Sequence, residues 1–161
     1  MVRLRPVELA NYLQTKDMAV RTGTNEITFA LFHRWAEPLD AGIRRVLAQD
    51  LRAAPAIRNV ITDEPAPAGC SVYTLSVHVL TCEGIRTDHM GSAAFAAVWE
   101  ITGPGFPGAV LDQGVFRARP ASWTPGDYGQ LASQTSKSLE EFSDMLVGAI
   151  TRRTRAQPRV S

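Results

Sequence analysis

Apolar residues recur along this chain with two different periods, and the switches between them mark out its elements. Residues 2–9, VRLRPVEL, read as an extended run broken at Pro6, which suits an edge strand or a bulge. Asn11-Tyr12-Leu13 then leads through a polar stretch to MAVRT at 18–22, and EITFAL at 26–31 is a second short extended run. Gly23-Thr24-Asn25 lies between these two runs and tolerates positive φ, so a hairpin is predicted there. From Phe32 to Leu51 the pattern becomes helical. Leu39, Ile43, Val46, Leu47 and Leu51 form one apolar stripe, while Asp40, Arg44, Arg45, Gln49 and Asp50 fall mostly off it and are expected to face water. Pro38 suits a first helical turn, where a missing N–H costs nothing, and Ala53-Ala54-Pro55 is a stop.

Ile57 to Thr62 reads as a short strand, followed by the loop DEPAPAG at 63–69. Ser71 to Thr81 has the strongest strand pattern: Tyr73, Leu75, Val77 and Val79 alternate with Thr74, Ser76 and His78, so one face is buried and one wet. Gly91 to Ile101 alternates again, with Phe95, Ala97, Trp99 and Ile101 on one face. The loop 102–108 joins it to a third run at 109–119, and the three are expected to form an antiparallel meander. A second amphipathic helix is predicted over 126–152, with Leu131, Thr135, Leu139, Phe142, Leu146 and Ile150 facing inward. Thr124-Pro125-Gly126-Asp127 resembles a capping box before it, and Arg152 and Arg153 suit its C-terminal dipole. Residues 155–161 read as a disordered tail. The order strands, helix, strands, helix, with each helix striped on one side, predicts a single α+β domain over 1–154. It is expected to be a two-layer sandwich with both helices on one face of an antiparallel sheet.

Composition adds little to this. A chain of 161 residues, 45% hydrophobic and 20% charged, can bury a core without metals or disulfides. The net charge of +1 includes Arg152, Arg153, Arg155 and Arg159 at the C-terminal end, which leaves the body mildly acidic and argues against a nucleic-acid-binding surface. No apolar run is long enough for a transmembrane helix. Cys70 and Cys82 flank one strand and are too far apart for an intrachain bridge.

The search for chemistry is largely negative. Gly103-Pro104-Gly105-Phe106-Pro107-Gly108 matches G-x-G-x-x-G, but its prolines remove donors and a strand follows it, so it reads as a hairpin loop. His33, His78 and His89 have no ligand-like spacing. His78 and Cys82 are expected to share a strand face, yet about 13 Å apart they make no dyad. No catalytic set, metal or cofactor is expected, and Asp63-Glu64 reads as solvated. The aromatic residues carry more interest. Trp35 is expected to pack under the first helix and Glu37 to favour its N-terminal dipole. Trp123, in an Arg-Pro-Ala-Ser-Trp-Thr-Pro-Gly loop, is either a lid over the core or an exposed contact, and Tyr12 poses the same choice. Both are carried as candidates for a partner or subunit interface.

These residues also form a recognisable pattern. Residues 7–51 resemble the PqiC family, the ABC-type transport auxiliary lipoproteins of the YmbA type. The matching positions are Val7, Leu9, Tyr12, Leu13, Val20, Arg21, Asn25 and the block Phe32, Arg34, Trp35, Ala36, Glu37, Pro38 and Leu39. Arg34, Trp35, Glu37 and Pro38 form its structural signature. Ala10 stands where the family has proline. The family's signal peptide, lipidated cysteine and first Y-Y-x-L strand do not appear here and are expected upstream in the full-length protein. The resemblance implies a non-enzymatic lipoprotein, anchored by an N-terminal lipid at the periplasmic face of the outer membrane. It also implies a homo-oligomeric ring that receives the MCE-domain protein of a lipid transporter. The rival expectation is a soluble small-ligand-binding or enzymatic α+β domain that uses the open face of its sheet.

Overall fold

The computed structural model describes residues 1–88, 90–105 and 108–156. Its spine is one long strand. We label the strands β1 (Val2–Leu4), β2 (Glu8–Leu9), β3 (Asp17–Arg21), β4 (Ile27–Arg34), β5 (Val60–Ile61), β6 (Tyr73–Arg86), β7 (Gly91–Thr102), β8 (Val110–Arg117) and β9 (Ala121–Ser122), and the helices α1 (Leu39–Ala53) and α2 (Tyr128–Ala156). Along one side of β6, β1, β2 and β3 pair in succession, Val2 opposite Tyr73, Glu8 opposite His78 and Val20 opposite Gly84. On its other side β7 runs antiparallel and carries β8 and then β9.

The α+β class, the hairpin β3–β4 and the meander β6–β7–β8 are as the alternation predicts. The sheet itself is mixed rather than antiparallel, because β1, β2 and β3 all join β6 in parallel and β5 joins β1 the same way. Parallel partners require a crossover connection, and α1 with its flanking loops provides it. Both helices pack on one face. Leu39, Ile43, Leu47 and Leu51 of α1 share one core with Leu139, Phe142, Leu146 and Ile150 of α2 and with Leu75, Val77, Val79, Phe95, Ala97 and Ile101 of the sheet. The rings of Phe95 and Phe142 in this core and of the partly buried Phe116 against it lie 5.0 to 6.3 Å apart.

Several local expectations are corrected. A register shift between Val79 and Thr81 reverses the alternation of β6, so His78 faces outward while Cys82 is buried on the helix side. The first turn of α2 is capped by Asp127, not Thr124: the Asp127 Oδ1 accepts from the N–H of Gln130 at 2.9 Å, and Thr124 instead closes a turn onto Asp127. Helix α2 continues through Arg155 and Ala156, into the stretch expected to be a tail, while residues 157–161 lie outside the described residues. So do His89 and, within the glycine-proline loop, Phe106 and Pro107. Arg44 is no free surface cation, since both its Nη atoms bind Asp63, at 3.0 and 2.9 Å, and Nη2 also donates to the carbonyl of Leu4. Glu64 folds back onto the N–H groups of Thr62 and Asp63. Cys70 and Cys82 are free thiols.

Candidate functional site

The most unusual surface arises from a flaw in the β3–β4 hairpin. At its turn end the pairing is regular, with Arg21 opposite Ile27 and Ala19 opposite Phe29. Beyond that, Asp17 faces Arg34, so residues 30–33 answer to Met18 alone. The surplus backbone bulges. Ala30 turns inward and is buried, while Leu31 and Phe32 are thrown outward, 80% and 90% exposed, beside Phe29. The bulge is held from several sides. The ring of His33 stacks on Tyr128 of α2 at 4.2 Å, Arg34 Nε donates to Asp17 Oδ1 at 2.8 Å, and the Trp35 N–H donates to the Lys16 carbonyl at 2.8 Å.

The signature residues follow directly and act as a joint. Trp35 is half-buried against the main core. Glu37 Oε1 accepts from Arg45 Nε and Nη2, at 3.0 and 2.5 Å, and its stem lies against Gly42, where a Cβ would come within 3.2 Å of the Glu37 Cγ. Pro38, with φ −51° and ψ 133°, is the N-cap from which α1 departs. The block thus leads from the apolar bulge into the first turns of α1. The opposite edge of the sheet, β8, exposes Val110 and Val115, and Val115 pairs with the half-exposed Val98. Among the described residues β4 pairs with β3 alone and β8 with β7 alone.

The two aromatic candidates behave differently. Trp123 is a core residue, 3% exposed, in a slot formed by Val20, Ala93 and Leu131, with its indole N–H donating to the Asp127 carbonyl at 2.8 Å. It therefore offers no surface to a partner, and its proposed interface role is withdrawn. The slot exists because β6 and β7 place Gly84 and Gly91 against the ring. Tyr12, in a short 3-10 turn at Asn11–Leu13, is half-buried, with its hydroxyl donating to the Leu80 carbonyl at 3.3 Å. Burial, then the neighbouring Glu83 carboxylate, pushes its pKa upward. Sequence reasoning missed Glu83 altogether. Its side chain is 1% exposed and is held by Arg21, Nε to Oε1 at 2.5 Å and Nη2 to Oε2 at 3.3 Å.

Among the described residues no group of three or more His, Cys, Asp or Glu side chains could hold a metal ion. An open cleft of about 750 Å³ lies between β2, the 3-10 turn and the start of α1, with Leu9, Leu13, Lys16, Asp40 and His78 among its lining. His78 and Glu8 approach to 3.4 Å on its wall, but their side chains are 41% and 76% exposed, so the contact is a weak surface one.

Residues 1–147 match the family model of the ABC-type transport auxiliary lipoprotein component. The chain belongs to this family. No curated protein matches it. Among solved structures, this auxiliary lipoprotein component is similar to a Xanthomonas campestris protein at TM-score 0.82 and 16% identity, over 98% of this chain and 88% of that one. It is also similar to a hypothetical protein from Chlamydia trachomatis, at TM-score 0.61 and 11% identity over 97% and 98% of the two chains. A PelC dodecamer from Paraburkholderia phytofirmans matches at TM-score 0.50 and 17% identity, over 86% and 84%. At these identities the likeness is one of fold.

Proposed function

We propose that this protein is a non-enzymatic auxiliary subunit of an MCE-type lipid transport system. In this reading it is an outer-membrane lipoprotein facing the periplasm, assembled into a homo-oligomeric ring that docks the MCE-domain protein. The observation that carries the proposal is the pair Leu31 and Phe32, held outward on one sheet edge at 80% and 90% exposure. Two adjacent large apolar side chains fixed in water call for a covering surface. Phe32 also belongs to the block that matches the family. The second free edge, β8 with Val110 and Val115, lies on the far side of the same sheet. Joining unlike patches on one subunit gives a head-to-tail contact, the kind that closes into rings. The PelC neighbour, named as a dodecamer, supports the homo-oligomeric part of this reading. Tyr12 remains a candidate contact residue through the exposed part of its ring.

The test is copurification. The full-length lipoprotein, co-expressed with the MCE-domain protein of its transporter, is expected to elute with it. The Leu31→Asp, Phe32→Asp double variant is expected to lose assembly and with it the complex. If the wild-type proteins elute separately, the docking role fails.

A further inference from the structure

We infer that the end of the molecule carrying Met1 and the C-terminus of α2 is a docking surface for an anionic lipid bilayer, binding its headgroup phosphates. The inference rests on the lipoprotein reading above, since an N-terminal anchor would bring this end to the membrane. The topology gathers several chain ends here. Val2 pairs with Tyr73 at the start of β6, Thr74 with Thr102 at the end of β7, and Thr102 with Val110 at the start of β8. Between them is a cleft of about 850 Å³ lined by Met1, Arg58, Tyr73, Ile150, Thr154 and Arg155.

The uncompensated charge at this end is positive. Arg58, Arg152 and Arg155 are exposed, and among the described residues no ion pair engages them. Asp112, opposite Ile101 near the same end, is taken up by Arg153 at 3.1 Å. Helix dipoles account for arginines in the last turn of α2. They do not account for Arg58, which lies in the connection after α1 and, among the described residues, is in no ion pair. A guanidinium binds phosphate through parallel N–H donors, and clustered arginines beside an anionic leaflet add their attractions.

Flotation of the 161-residue chain with vesicles tests this, comparing phosphatidylcholine alone with phosphatidylcholine containing phosphatidylglycerol. The chain is expected to float with the anionic vesicles only, and less so in high salt. Each arginine removed should lower the partition coefficient roughly fivefold, so Arg58→Gln, Arg152→Gln and Arg155→Gln together should lower it about a hundredfold. Arg86→Gln, at the far end of β6, should leave it unchanged. Equal partition onto neutral vesicles, retention by the triple variant, or an equal loss with Arg86→Gln would overturn the inference. A chain that proves monomeric yet still selects anionic vesicles would refute the ring and uphold this surface.

Discussion

Gly84→Ala is the sharpest single test of how this fold disposes of its loop tryptophan. A Cβ at Gly84 would lie 2.6 Å from the Trp123 Cζ3 and 2.9 Å from Cε3 and Cη2. Carbon atoms prefer about 3.5–4.0 Å, so the overlap is roughly 1 Å. The ring has no easy retreat. It is 3% exposed, tied through Nε1 to Asp127, and packed against Tyr128 at 5.9 Å between centroids. Overpacking of this kind costs about 1–3 kcal/mol, and a trapped ring argues for the upper end. Replacing glycine in a strand returns about 0.5–1 kcal/mol. The net is about 2 kcal/mol, or a melting temperature lower by about 4–8 °C in a chain of this size. Thermal and urea unfolding followed by circular dichroism measure it. Trp123→Leu destabilises on its own, but on the Gly84→Ala background it also removes the overlap, so the two losses should fall short of additive by about 3 kcal/mol. If Gly84→Ala melts within about 2 °C of wild type, the ring is free to leave its slot, and Trp123 returns as a contact residue.

Other expectations follow from the same geometry. Arg21→Ala strands the Glu83 carboxylate in the sheet. Loss of one partner of a buried pair costs about 3–5 kcal/mol, and because Arg21 is itself 29% exposed, about 2 kcal/mol is expected in urea unfolding; a change under about 0.5 kcal/mol would contradict the assignment. The exposed Cys70 should react rapidly with a thiol reagent near pH 8 in the native protein. Cys82, whose thiol is pushed up to about 12 by complete burial, should react only after denaturation, and two fast native thiols would contradict its placement. The N–H of Thr62, with that of Asp63, holds the Glu64 carboxyl down at about 2, well below its ordinary value of 4.5. A depressed carboxylate stabilises the fold above its unfolded pKa and loses that contribution as pH falls through the folded value. Glu64→Gln should therefore flatten stability between about pH 4.5 and 2, and a Glu64 midpoint near 4.5 by NMR titration would refute the turn.

Much of the fold is legible in the residues because burial writes a period into them. Tyr73 to Val79 alternate as a strand with one wet face, and the inward stripe of α2 from Leu131 to Ile150 is buried as its spacing requires. Period carries no information about partners, which is why the parallel pairing of β1, β2 and β3 onto β6 was not foreseen. It also assumes an unbroken pleat: the register shift after Val79 turns His78 and Cys82 to opposite faces and sets Glu83 on the face away from the helices, where Arg21 of the adjoining β3 and the Tyr12 hydroxyl cover and bind its carboxylate. Trp123 could not be placed from the pattern: Gly84 lies beyond the strand read over 71–81 and Gly91 only opens the next, so their close approach to the ring shows once β6 runs on to Arg86. The Phe29–Phe32 stretch reads in sequence as an ordinary strand passing into a helix. Its exposure comes from a pairing irregularity with Asp17 and Ala19, which no local pattern records.

The central claim, that this chain is built to be covered by its own copies, meets its most direct test in the mass of the particle in solution. Size-exclusion chromatography with light scattering on the 161-residue chain should give a discrete multiple of 17.6 kDa, collapsing to that mass in the Leu31→Asp, Phe32→Asp variant. A wild-type particle of 17.6 kDa at high concentration, or a variant that keeps the wild-type mass, would contradict it.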